Sequence, residues 1–151
     1  MNELERQYGN FQNSTSWYKH AGENNAPEVV YLTLGLVGEA GEFADAIKKI
    51  AREVGQNDDA AFLRLLMKPE VNAKLVGELG DVMWYFNKLL LWLGVNHSEL
   101  MIINTLKLYS RLSARPHSDL TGLEWPFELS YEEAFKKYEC FLEPDKDKDG
   151  V

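Results

Sequence analysis

Leu34-Gly35-Leu36-Val37-Gly38-Glu39-Ala40-Gly41-Glu42-Phe43-Ala44-Asp45-Ala46-Ile47-Lys48-Lys49-Ile50 is the stretch whose pattern decides the fold. At about 100° per residue, Leu32, Leu36, Phe43, Ile47 and Ile50 fall on one stripe, the signature of an amphipathic helix. Glu39 stands inside that stripe, between Leu36 and Phe43, and Glu42 lies beside it one turn on. An unpaired buried carboxylate is very costly, so Glu39 calls for a partner such as a cation. Gly38 and Gly41 flank the two acids. Glycine costs a helix interior roughly 1 kcal/mol against alanine, which suggests a close approach to the backbone at these positions.

The device repeats on a second long helix opened by Pro69. Leu75, Leu79, Val82, Phe86 and Leu93 form its stripe. Glu78 and Asp81 stand three residues apart on one edge, with Gly77 and Gly80 alongside. Residues at i and i+3 share a side of a helix. Two antiparallel helices therefore present four carboxylates, Glu39, Glu42, Glu78 and Asp81, to a shared point. Oxygen ligands in that number suit Mg²⁺ or Mn²⁺ rather than zinc. Asp45 continues the first acidic line but at an angle pointing further out, so it is expected to support the site at most from behind.

Working outward, 3–20 read as helical or partly helical, 22–26 as a loop, and Pro27 as the first turn of the helix that runs to about Val54. Residues 55–59 break the pattern. A short helical piece follows over 60–67, then the second long helix over 69–93 with Gly94 as its stop. Asn96 or Ser98 caps a third long helix over 99–112. Pro116, Gly122 and Pro126 mark a loop, and 131–142 read as a short final helix. No segment alternates cleanly as a strand would. The expectation is an all-α bundle of four or five helices, one domain over 1–142, with 143–151 a disordered tail. Trp84, Leu91 and Trp92 lie off the main stripe of their helix. A helix apolar on several faces must be buried on several faces, which predicts an oligomer.

The chain has 151 residues and a net charge of −8. Its length suffices for a real core without staples. The acidic balance speaks against broad binding of nucleic-acid backbone, which needs clustered Lys and Arg. A nucleotide can still bind if a cation sits between carboxylates and phosphates. The single cysteine, Cys140, excludes an intrachain disulfide and fits a reducing compartment. Residues 1–6 have no apolar signal core, and no run of about 18 apolar residues exists to span a membrane. The cytoplasm is expected by elimination, that of the host if the chain is of phage origin.

On the third long helix, Asn104, Lys107 and Arg111 share a face. Lys107 and Arg111 are candidates for contact with phosphate oxygens, with Asn104 as a polar orienter.

These residues together resemble the MazG-like nucleotide pyrophosphohydrolases, the all-α group that includes dimeric dUTPases and dCTP pyrophosphatases. The resemblance is carried by Glu39-Ala40-Gly41-Glu42, by Glu78-Leu79-Gly80-Asp81, by the surrounding 34–42 and 77–85, and by Asn104-Thr105-Leu106-Lys107-Leu108 with Arg111. It covers about 10–112. The segment around 58–71 is longer than in compact members. The resemblance implies a MazG-type bundle and conversion of a nucleoside triphosphate to the monophosphate and pyrophosphate. It implies Mg²⁺ bridging the four acids and the triphosphate, and a water attacking the α-phosphorus with Glu42 as proton acceptor. It also implies phosphate contacts from Lys107 and Arg111, and a homodimer or homotetramer. For the base, Phe11, Trp17 and Tyr18 are candidates for stacking, and Asn13, Ser14 and Thr15 for reading its edge. A deoxynucleotide is preferred, dGTP or GTP first, in control of nucleotide pools.

Other signals are discounted. Asp145-Lys146-Asp147-Lys148-Asp149-Gly150 opens like an EF-hand loop but lacks the glutamate that closes one. His20, His97 and His117 have no ligand spacing, Cys140 reads as a packed thiol, and there is no phosphate-binding glycine loop. Two readings compete with the enzyme: a non-catalytic nucleotide or metal sensor, and a helical oligomer whose acids are merely solvated.

Overall fold

The computed structural model describes residues 2–55, 58–113 and 125–142. Six α-helices and one 3₁₀ turn occur among them: α1 Glu3–Thr15, α2 Ala26–Val54, α3 Asp59–Leu66, α4 Pro69–Leu93, α5 His97–Ser113, α6 Tyr131–Tyr138 and the 3₁₀ turn Glu139–Phe141. The all-α expectation holds, with six helices among the described residues where four or five were expected. The readings of Pro116, Gly122, His117 and the 143–151 tail lie outside the described residues. The chain divides into two compact units, Met1–Gly94 and Val95–Val151.

In the first unit, α2 and α4 pack against each other, α3 packs on both, and α1 packs on α4. Asn25 caps α2 by accepting from the Glu28 N–H at 3.0 Å, with Pro27 in the first turn. Gly94 ends α4 in the left-handed conformation at φ 69°, where a side chain would be strained. One core joins the end of α2 to the start of α4: Ala46, Ile50 and Leu75, covered by Phe43, Ile47, Phe62, Leu65, Leu66 and Val71. This contact makes the two long helices antiparallel, as the acidic pairs require.

The stripe assigned to α4 needs correction. Leu75 and Leu90 are buried, but Leu79 and Leu93 are exposed. Asn87 and Lys88 take buried positions on that helix instead. Their partners come from elsewhere in the chain. Asn87 Nδ2 donates to Gln12 Oε1, Gln12 Nε2 donates to the Trp84 carbonyl at 2.9 Å, and Lys88 Nζ donates to Asn13 Oδ1 at 3.0 Å. Buried polar groups persist where they are hydrogen-bonded, and these bonds fasten α1 to α4.

α1 stops at Thr15, short of residue 20. Ser14, Thr15 and Ser16 turn their hydroxyls onto carbonyls of their own helix, at Phe11 and Gln12. Such local bonds compete with helix propagation. The loop that follows is organised by Glu28, which is 2% exposed. Its carboxylate accepts from the Tyr18 hydroxyl at 2.9 Å and from the Gly22 and Asn24 N–H groups at 2.6 and 2.7 Å.

In the second unit, Asn96 rather than Ser98 caps α5, exchanging bonds of 3.0 Å with Glu99 in a capping box. α5 and α6 enclose Leu106, Ala134 and Tyr138. The final helix is shorter than 131–142, because the chain tightens into the 3₁₀ turn after Tyr138. Cys140 sits in that turn and is exposed, so the packed-thiol reading is corrected.

Candidate metal centre

Glu39 on α2 and Glu78 and Asp81 on α4 come together. Each offers a carboxylate oxygen, and the three oxygens lie within 4.8 Å of one another. Glu39 and Glu78 are half-buried and Asp81 is exposed. Three hard oxygen donors on two antiparallel helices, open on one side, suit a divalent cation such as Mg²⁺ or Mn²⁺.

The electrostatics agree with that donor set. The Glu39 carboxyl is held above the ordinary carboxylate range, first by desolvation and then by repulsion from Glu42, Asp81 and Glu78. Crowded carboxylates disfavour one another's ionisation, and a cation between them reverses the sign of that interaction.

Glu42 falls outside the tight group. It lines an adjoining cleft with Glu78, Asp45, Lys49 and Lys74. Glu78 thus belongs both to the three-carboxylate group and to this second cleft. Asp45 is ion-paired with Lys48 and Lys49, the latter at 2.8 Å, and these pairings lower its carboxyl to about 2. Gly38 and Gly41 line the same cleft, and beyond the helix's own backbone and the adjoining residues nothing described comes within 4 Å of a Cβ built at Gly38, Gly41, Gly77 or Gly80. The close approach is at Gly35 instead, where a Cβ would overlap a ring carbon of Tyr85.

Glu39 and Asp81 open on an aromatic cleft lined by Thr15, Trp17, Tyr18, Tyr31, Trp84 and Tyr85. Tyr18 stacks on Tyr31 with ring centroids 4.3 Å apart, and Trp84 meets Tyr85 edge-on at 5.0 Å. A hydrogen bond with Tyr31, and then burial, push the Tyr85 hydroxyl up to about 12, so it stays a neutral donor at physiological pH.

A family model of the MazG nucleotide pyrophosphohydrolase domain matches residues 29–100. These residues form a MazG-type domain. The MazG domain takes in Glu39, Glu42, Glu78 and Asp81, while Asn104, Lys107 and Arg111 fall beyond the matched residues. The Gene 37 protein of Mycobacterium phage L5 is 40% identical over 98 residues, which span 64% of this chain and 78% of that protein. No solved structure matches.

The other candidates named from the sequence are spread out. Around the MazG carboxylates, Trp17 is 90% exposed and borders the aromatic cleft. Asn13 lies in a different cavity, bonded to Lys88, and Phe11 is exposed and lines neither. Asn104, Lys107 and Arg111 are exposed on α5, in the second unit. Sequence reasoning missed Glu28, Asn87 and Lys88. The available signal was a set of polar residues at buried helical positions. Gln12 and Asn13, the partners of Asn87 and Lys88, lie 75 residues away in the chain, beyond the reach of periodicity, while Glu28 is held by Tyr18, Gly22 and Asn24 of the loop before it. Among the described residues no helix is long and apolar enough to cross a membrane.

Proposed function

We propose that the chain is a Mg²⁺-dependent nucleoside triphosphate pyrophosphohydrolase that converts a (d)NTP to the monophosphate and pyrophosphate. The observation that carries this reading is the convergence of Glu39, Glu78 and Asp81 within 4.8 Å, in a MazG-type domain.

When bound, a divalent cation supplies charge neutralisation for the triphosphate and a lower pKa for an attacking water. Glu39, Glu78 and Asp81 hold it. Glu42 is the proton acceptor, since it neighbours Glu39 electrostatically yet lies outside the three-oxygen group. The rigid α2–α4 pair fixes these groups before substrate arrives, so little reorganisation is needed at the moment of reaction. The rings of Tyr18, Tyr31, Trp84 and Tyr85 shield one side of the acids from water. Asn104, Lys107 and Arg111 are proposed as phosphate ligands on the strength of their shared exposed face and charge. Among the base candidates Trp17 is retained for stacking and Asn13 for hydrogen bonding, while the exposed Phe11 has no support from its position.

We propose a homodimer or homotetramer as well. Val30, Leu34 and Val37 on α2, and Val76, Leu79 and Met83 on α4, are large apolar side chains left exposed in the single chain. Their helical spacing gathers each trio onto one face, the mark of a covered surface. We propose a role in nucleotide pools, within a host cytoplasm if the chain shares the phage origin of its relative. A panel of NTPs and dNTPs with product identification tests the reading. Tight binding without turnover would point instead to the sensor.

A further inference from the structure

A second cavity in the first unit, of about 350 Å³, is lined by Asn13, Glu28, Lys88 and Trp92 among others. It holds unspent hydrogen-bonding capacity. Lys88 is 6% exposed, and its one hydrogen bond goes to Asn13, which leaves two ammonium donors free. The Trp92 indole Nε1–H is buried with no partner. Glu28 accepts three bonds, and a carboxylate has about four lone-pair sites. Lys88 and Glu28 feel each other's charge, yet the Lys88 bond runs to Asn13 rather than to Glu28. Buried unpaired donors are costly, so the cavity suits a ligand that brings an acceptor to Lys88 and Trp92 and a donor to Glu28.

The position of the cavity says what kind of ligand. Lys88 follows Asp81 by seven residues on α4, the same face about 10 Å further along. Glu28 precedes Glu39 by eleven on α2, again the same face, and at the same end of the antiparallel pair. Tyr18 joins the two places: its ring borders the cleft of Glu39 and Asp81, and its hydroxyl bonds Glu28. A nucleotide whose phosphates lie at the acids extends its base in this direction. We propose that the cavity reads the base and selects those with a ring carbonyl beside a ring N–H, guanine and thymine or uracil. The carbonyl accepts from Lys88 and Trp92, and the ring N–H donates to Glu28. Adenine and cytosine present an amino group to Lys88 and a bare ring nitrogen to Glu28, so both contacts are donor on donor or acceptor on acceptor. Mismatches of that kind discriminate strongly, because the buried groups are left unpaired.

The placement rests on the pyrophosphohydrolase reading, but the recognition is separable from it. Free nucleosides carry no phosphate and need no metal. Titrations in EDTA, followed by the NMR signal of the Trp92 indole N–H (assigned with Trp92→Phe), measure the cavity alone. Deoxyguanosine and thymidine should shift that signal with a Kd at least about tenfold below those of deoxyadenosine and deoxycytidine. Lys88→Met, similar in length and apolar, should abolish the preference while the other indole signals stay in place. Should that variant not fold, Trp92→Phe, followed by isothermal titration calorimetry because it lacks the indole signal, should weaken the two keto nucleosides more than the other two. No shift with any nucleoside, equal Kd values for all four, or an unchanged preference in the variants would overturn the inference. Selective nucleoside binding without triphosphate hydrolysis supports the inference and removes only the catalytic reading. Equal hydrolysis of all four dNTPs removes only the inference.

Discussion

The ring of Tyr85 lies against the backbone of Gly35 so closely that a Cβ on Gly35 would overlap a ring carbon. This contact brings α2 and α4 together beside the carboxylates, since Tyr85 and Glu39 line one cleft. It also separates two kinds of glycine on α2. At Gly35 the missing side chain is occupied space; at Gly41 a Cβ would meet nothing described within 4 Å beyond the helix's own backbone and the adjoining residues.

Gly35→Ala should therefore destabilise the protein by about 1–3 kcal/mol, the usual cost of overpacking. Gly41→Ala should be neutral or stabilising by up to about 1 kcal/mol, because alanine favours helix and nothing is displaced. Denaturant unfolding of the two variants in EDTA checks the contrast.

Glu39 gives a pH-dependent prediction. Its folded pKa is raised from an ordinary 4.5 by desolvation and neighbouring carboxylates. As pH rises past the ordinary value, the unfolded chain releases this proton first, so the folded state loses stability until its own raised pKa is passed. The loss persists at higher pH. Glu39→Gln removes it: the metal-free variant should melt a few degrees above the parent at pH 7 and equal it near pH 4. With Mg²⁺ present the order should reverse, because only the parent keeps all three negative carboxylates. Melting curves at the two pH values, with and without Mg²⁺, measure both effects.

Gln12→Leu should cost about 2–4 kcal/mol, since it leaves the Asn87 amide buried without its partner. Replacing both residues, Gln12→Leu with Asn87→Leu, should recover part of that loss. A double-mutant cycle in urea reads the coupling.

The long helices were legible because their signals are local. Pro27 and Gly94 mark an opening and a close, and the acidic pairs at i,i+3 point one way whatever packs beside them. Glu39 was legible from its place in an apolar stripe, although it is half-buried rather than enclosed. Other features depend on contacts that no local pattern contains. Gln12, Asn87 and Lys88 are buried because polar groups distant in the chain meet them, and Glu28 because the loop just before it folds back onto its carboxylate. Leu79 and Leu93 fit an apolar period yet are exposed in the single chain. α1 ended early because three consecutive hydroxyls found carbonyls of their own helix, a competition that hydrophobic periodicity does not register.

The exposed apolar faces give a prediction about assembly. The parent should run as a dimer or tetramer by light scattering after gel filtration. Leu34→Glu combined with Met83→Glu should shift it toward monomer, since charges on a buried apolar interface are strongly unfavourable.

Product analysis of a panel of NTPs and dNTPs with Mg²⁺ tests the pyrophosphohydrolase most directly. Pyrophosphate, not orthophosphate, should be released from at least one of them. That activity should be lost in EDTA and reduced by about 100-fold or more in Glu78→Gln and Asp81→Asn. Orthophosphate as the product, no turnover of any nucleotide, or full activity in both variants would contradict it.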